Sequence, residues 1–209
     1  MVPYVYRLLA LTVFISLMLL YDLRHPPEKR YRHREYFFLL ATGVAGAVFG
    51  LVTDTITSSI SPDYFILGKG LSTAADFRLE VWALGAKAGF SGWMLAGGIL
   101  LVVNRGRAAI GRLFRLMALS FVYSALGATL FGLLQHELPF IQFAEWNLVL
   151  GPLSAQGFTL VWCIHLGVYV GGGTGLLLAC FRVRRHEKDP STQPPNTALQ
   201  PSAQRTRLG

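Results

Sequence analysis

Long apolar stretches alternate with short polar connections over most of the 209-residue chain. A helix that crosses the ~30 Å hydrocarbon core of a bilayer needs about 20 predominantly apolar residues. Five stretches meet this requirement: 3–21, 36–60, 81–103, 113–134 and 157–181. None of them alternates apolar and polar residues with a period of two, as a half-buried strand would. Because a backbone exposed to lipid must satisfy its own hydrogen bonds, the pattern predicts an all-α fold with five transmembrane helices.

The basic residues fall on alternate sides of these spans. Of the 19 Lys and Arg residues, fifteen lie in the segments 22–35, 104–116 and 182–209, whereas the connection 135–156 has none. Lys and Arg are enriched in cytoplasmic loops, so the pattern predicts an N-terminus outside and a C-terminus in the cytoplasm. A cleaved signal peptide is the weaker interpretation of 3–21, because Arg7 is its only basic residue and no small-x-small cleavage site precedes Asp22.

Composition agrees with a protein that lies in a membrane. Hydrophobic residues make up 53% of the chain and charged residues 14%, against about 25% charged in average soluble domains. The net charge of +8 is explained by the basic connections, which are topology determinants that also suit anionic lipid headgroups, so no nucleic-acid partner is predicted. We expect a multi-pass protein of the inner membrane, with a transmembrane domain over 1–186 and a disordered cytoplasmic tail over 187–209, which is rich in Pro, Ser, Thr and Gln.

Ionisable and hydroxyl side chains inside the apolar stretches are the candidate functional residues, because such groups are costly in a membrane unless they are paired or hydrated. The predicted polar cluster lies in the outer half of the bilayer and consists of Asp54, Thr57, Lys87 and His165. An ion pair between Asp54 and Lys87 is the expected contact. Such a cluster is interpreted in three ways: a structural link between helices, a hydrated vestibule for transport, or an active site.

Pairs of glycines spaced four residues apart are typical of tightly packed transmembrane helices. Gly46 and Gly50 form one pair in the second span, and Gly85 and Gly89 form another in the third. These faces predict that the second and third spans pack against each other, or that one of them packs against a second copy or another membrane protein.

The connection between the second and third spans has the most distinctive local sequence. It begins with Ser61, Pro62, Asp63, Tyr64 and Phe65. Ser-Pro-Asp is expected to end the helix and begin a turn. The aromatic residues are too apolar for a free loop, so we expect them to rest at the membrane surface.

The stretch from Asp54 to Phe65 resembles one in a group of uncharacterised bacterial integral membrane proteins. Those proteins have the pattern Asp-Gln-Ile-Thr-x-x-Ile-Ser-Pro-Glu-Tyr-Phe between two spans; here Thr55 stands at the Gln position and Asp63 at the Glu position. The resemblance covers about residues 45–105. It implies a bacterial inner-membrane protein, and it implies no mechanism.

The sequence favours a non-enzymatic structural or accessory membrane subunit, because the connections are too short to form folded domains. The alternative is a small transporter or channel that uses Asp54, Lys87 and His165. A membrane-embedded enzyme acting on lipid is the third possibility, with its acid or base drawn from Asp54, His136, Glu137, Glu145 and His165. No catalytic residue, cofactor site or metal site is assigned, because no nucleophile motif or set of metal ligands at suitable spacing is present.

Overall fold

The computed structural model describes residues 33–186 except 74, 107 and 143, together with scattered positions between 12 and 24. The predicted first span, 3–21, lies mostly outside the described residues, although its described positions are helical. The predicted tail, 187–209, lies wholly outside them. Over the described residues the regular secondary structure consists only of helices, which confirms the all-α prediction: α1 (His33–Ile60), α2 (Pro62–Lys69), α3 (Phe77–Asn104), α4 (Ile110–Glu137), α5 (Ala144–Leu150) and α6 (Pro152–His186).

Four of these helices, α1, α3, α4 and α6, are long and apolar enough to cross a membrane. They contain the predicted spans 36–60, 81–103, 113–134 and 157–181, and each extends several residues beyond them. A helix of 28 residues, the length of α1, α3 and α4, is about 42 Å long, enough for the hydrocarbon core and the headgroup regions.

Two helical hairpins make up the bundle, and glycine contacts hold each of them together. In the first hairpin α1 and α3 cross where Gly50 meets Gly85 and Gly46 meets Gly89, so the predicted glycine faces pack against each other within the chain. The second hairpin consists of α4 and α6, which cross where Gly127 meets Gly167. In both hairpins a Cβ at the crossing would overlap the carbonyl oxygen of the facing helix, so only glycine allows the backbones to approach this closely.

Aromatic side chains fill the seam between the two hairpins. Trp93 of α3 stacks on Phe121 of α4, with the ring centres 3.7 Å apart, and Phe49 of α1 meets Trp93 edge-on at 6.0 Å. Nearer the other end, Phe38 of α1 packs edge-on against Phe114 of α4 at 5.0 Å. These rings join α1, α3 and α4 in a single core.

The connections show how the chain reverses at each membrane face. After α3, Arg105 and Gly106 adopt left-handed backbone conformations, and the buried side chain of Asn104 both donates to the carbonyl of Ala108 at 3.1 Å and accepts from its N–H at 2.8 Å. The sequence analysis did not single out Asn104. Its amide satisfies both backbone groups of Ala108 and so fixes the turn between α3 and α4.

The connection after α1 differs from the expected turn. Ser61 is extended, as a residue before proline prefers to be, but Pro62 then begins the helix α2 because proline suits the first helical position. The prediction that Tyr64 and Phe65 rest at the membrane surface is wrong, since both are buried. They pack on Phe158 and Val161 of α6, because α2 folds back onto the second hairpin.

Candidate functional site

Asp54 and His165 form a buried contact between the two hairpins. Asp54 lies on α1 and His165 on α6, and His165 Nε2 is 3.0 Å from Asp54 Oδ1. Their side chains are 9% and 13% exposed. Because burying either group without a partner is costly, this contact accounts for the presence of both in apolar helices.

The hydrogen bonds of His165 fix the number of protons in the pair. The ring Nδ1 lies 2.8 Å from the carbonyl oxygen of Val161, which can only accept, so Nδ1–H is the donor. The 3.0 Å contact between Nε2 and Oδ1 then needs one further proton, carried by either atom. Both arrangements, imidazolium with carboxylate and imidazole with carboxylic acid, have a net charge of zero.

The expected contact of Asp54 with Lys87 is replaced in the structure by the contact with His165. Gly85 faces α1, and Lys87 follows two residues later, about 200° further around α3. Lys87 is also absent from the residues that line the cavity beside Asp54. The glycine spacing therefore contained the signal that would have separated Lys87 from the other members of the predicted cluster.

Tyr64 of α2 covers the pair. Its ring stacks on the imidazole of His165 with centres 5.0 Å apart and planes 20° apart, and Phe65 meets the same imidazole edge-on at 6.1 Å. Burial, and after it the charge of Asp54, raises the pKa of Tyr64 to about 12. The Lys69 ammonium lies 5.3 Å from the centre of the Tyr64 ring, a distance that suits a cation–π contact.

The remaining residues of the predicted cluster and loop surround this core. Thr57 is 1% exposed, and its hydroxyl donates to the carbonyl of Thr53 at 2.9 Å. Ser61 is buried, and its hydroxyl has no hydrogen-bond partner in the described part of the chain. Pro62 is exposed and Asp63 is half-buried. The structure thus brings Asp54, Thr57 and His165 together with the predicted loop as one site.

A cavity of about 270 Å³ extends from the pair along the seam between the hairpins. Asp54 and His165 lie at one end of it, and its walls include residues of α1, α3, α4 and α6. The wall is otherwise mainly apolar and rich in glycine: Phe49, Gly50, Thr53, Gly85, Ala88, Gly89, Gly92, Trp93, Ala96, Ser124, Val168, Tyr169, Gly172, Gly173 and Leu176. The cavity is therefore an apolar groove with the Asp54–His165 pair at one end.

The other candidate acids and bases do not line the cavity beside Asp54, although His136 lines a second cavity together with Thr57. His136 and Glu137 are adjacent and largely exposed, with His136 Nε2 3.9 Å from Glu137 Oε1, and Glu145 is exposed on α5. The described residues contain no group of three or more His, Cys, Asp or Glu that could hold a metal ion.

Comparison with protein-family models, with curated proteins and with solved structures finds no match. The four long apolar helices and the buried polar pair define the class to which the chain belongs, a polytopic helical membrane protein.

Proposed function

We propose that this protein is a structural or accessory subunit of a membrane assembly and is not an enzyme. The observation that supports the proposal is that the polar groups inside the spans form hydrogen bonds within the bundle. Asp54 and His165 join the hairpins, and Ser124 of α4 donates across to the carbonyl of Val168 of α6 at 2.8 Å. Other hydroxyls, such as those of Thr53 and Thr129, donate to carbonyls of their own helix. These groups stabilise the bundle and leave little for chemistry.

The cellular setting is part of the proposal. The basic connections support an orientation with 104–116 and the C-terminus in the cytoplasm, and a fifth span over 3–21 would place the N-terminus outside. The resemblance around Asp54–Phe65 supports a bacterial inner membrane. A partner would contact surfaces other than Gly46, Gly50, Gly85 and Gly89, since these lie inside the α1–α3 crossing.

A small transporter is the second candidate, and the cavity beside Asp54 is the observation that favours it. A conduction path would also need polar groups beyond Asp54 and His165. Thr174 and Ser120, further along the spans, both donate to carbonyls of their own helix. This satisfied hydrogen bonding makes transport the weaker proposal.

The mass of the assembly in native membranes tests the accessory role. Membranes solubilised in a mild detergent are separated by size, and the protein mass of the fraction is determined by light scattering after subtraction of the detergent. We expect a protein mass well above the 23.0 kDa of one chain. The control is the same chain purified alone, which separates a homo-oligomer from an assembly with a different subunit. A single chain in the native extract would contradict the proposal.

A further inference from the structure

The cavity beside Asp54 has the form of a site for a single-chain amphiphile. Along α3 it extends from Gly85 to Ala96 and along α6 from His165 to Leu176. Each of these stretches spans about 16 Å at ~1.5 Å per residue. The groove is therefore elongated along the bundle axis, with its polar end nearest α2 and its apolar end near the middle of the spans.

Within the described part of the chain, the groove is open on one side of the bundle. Gly92 of α3 and Gly173 of α6 are exposed and line it, and a Cβ added at either would meet nothing within 4 Å. In a membrane this opening faces lipid, so a molecule dissolved in the bilayer can enter without crossing water.

The polar end offers an acceptor that the protein leaves unused. The Asp54 side chain is nine-tenths buried and its Oδ1 is bonded to His165. Its Oδ2 points past Gly85, where it would lie 2.9 Å from an added Cβ. Among the described residues none donates a hydrogen bond to Oδ2, and Asp54 lines the groove, so this oxygen is accessible to a donor bound there.

The charge of the site selects a neutral head. The proton count of the Asp54–His165 pair gives it a net charge of zero, so it does not attract a cation as a lone carboxylate would. Lys69, near the Tyr64 ring, adds positive charge on the same side, which further disfavours a cationic head, and an anionic head has no proton to donate to Oδ2. A hydroxyl donates to Oδ2 without bringing a second charge into the groove.

We propose that the groove binds a membrane-soluble alcohol with a single narrow apolar chain, its hydroxyl on Asp54 Oδ2 and its chain running toward Trp93 and Ala96. This inference goes beyond the accessory role and does not rest on it, since one chain alone supplies every residue of the groove.

Quenching of Trp93 tests the site. The full chain is placed in nanodiscs with Trp82, Trp146 and Trp162 replaced by Phe, after its thermal stability has been matched to that of the parent. The probe is undecanol brominated at its terminal carbon, because bromine quenches tryptophan on contact. We expect saturable quenching, and at least tenfold weaker apparent binding of bromoundecane, which has the chain without the hydroxyl. Equal binding of the two probes would contradict the role of Asp54 Oδ2.

Two variants separate the groove from general partition into lipid. Gly92→Leu fills the groove at a position with free space, and we expect saturable quenching to fall at least tenfold. Gly111→Leu is the matched control, since Gly111 is exposed on α4 and also has free space; it should bind as the parent does. Asp54→Ala should weaken binding of the alcohol at least fivefold more than it weakens binding of bromoundecane. Quenching in Gly92→Leu equal to that of the parent would overturn the proposal.

Discussion

Replacing Asp54 by Ala leaves the Nε2 of His165 buried without its hydrogen-bond partner. Removing one partner of a buried pair costs about 3–5 kcal/mol in soluble proteins, while polar pairs in membrane bundles couple by about 0.6–1.7 kcal/mol. Because the His165 side chain is 13% exposed, we expect Asp54→Ala and His165→Ala each to lower the free energy of unfolding by about 2–3 kcal/mol. Equilibrium unfolding in mixed detergent micelles measures these losses.

The double variant distinguishes a pair from two independent residues. Asp54→Ala with His165→Ala should lose less than the sum of the single losses, with a coupling of about 1 kcal/mol or more. Thr55→Ala is the control, because Thr55 is exposed and bonds its own helix at Leu51; it should change stability by less than about 0.5 kcal/mol. Losses that simply add would mean that Asp54 and His165 do not stabilise each other.

Tyr64 predicts an alkaline loss of stability. Its pKa is raised to about 12 in the folded protein, against an ordinary tyrosine value of 10.0. The folded state therefore holds the phenol proton more tightly, and this contribution, on the order of 2 kcal/mol, is present below pH 10 and lost as the pH rises toward 12. Thermal unfolding between pH 9 and pH 12 should show a smaller decline for Tyr64→Phe than for the parent. The control is Tyr36→Phe, at the N-terminal end of α1, whose stability should decline with pH as that of the parent does.

At the scale of elements, the glycine crossings set which substitutions the helices accept. Alanine is about 1 kcal/mol more favourable than glycine within a helix, so Gly92→Ala, with free space around it, should leave stability unchanged or raise it. At Gly50 the new Cβ would overlap the carbonyl oxygen of Gly85, a backbone atom that cannot move aside, so α1 and α3 must separate. We expect Gly50→Ala to lose at least about 2 kcal/mol. Unfolding of both variants in detergent measures whether the free energy of unfolding falls for Gly50→Ala and not for Gly92→Ala. A Gly50→Ala variant as stable as the parent would contradict the close crossing of α1 and α3.

The elements also show where sequence reasoning reached its limit. Apolar length alone placed α1, α3, α4 and α6, because crossing a bilayer imposes that length. It could not place α2, since Ser-Pro is compatible with a turn and with a new helix alike. The burial of Tyr64 and Phe65 depends on α2 folding back onto α6, a contact between residues about a hundred positions apart. The pairing of Asp54 with His165, 111 positions apart, has the same long-range origin.

At the scale of the whole molecule, the order of the helices determines which connections lie on the same face of the bundle. The two long helices of each hairpin run antiparallel to each other. Residue 33, the α3–α4 turn and the end of α6 therefore lie on one face of the bundle, and α2 and α5 lie on the other. In the orientation that we propose from the basic connections, the first face lies in the cytoplasm. Each connection can therefore be tested by its access to a reagent that does not cross membranes.

Cysteine labelling makes that test in a background with Cys163→Ala and Cys180→Ala. Thr73 precedes α3, Ala109 precedes α4, and both are exposed, so a cysteine at either site is accessible without disturbing the core. We expect Thr73→Cys to react with an impermeant maleimide in intact spheroplasts, and Ala109→Cys to react only in inverted vesicles. The reverse pattern would overturn the orientation while leaving the bundle intact. Reaction of both sites from the same side would show that α3 does not cross the membrane, because the 28 residues of α3 lie between them.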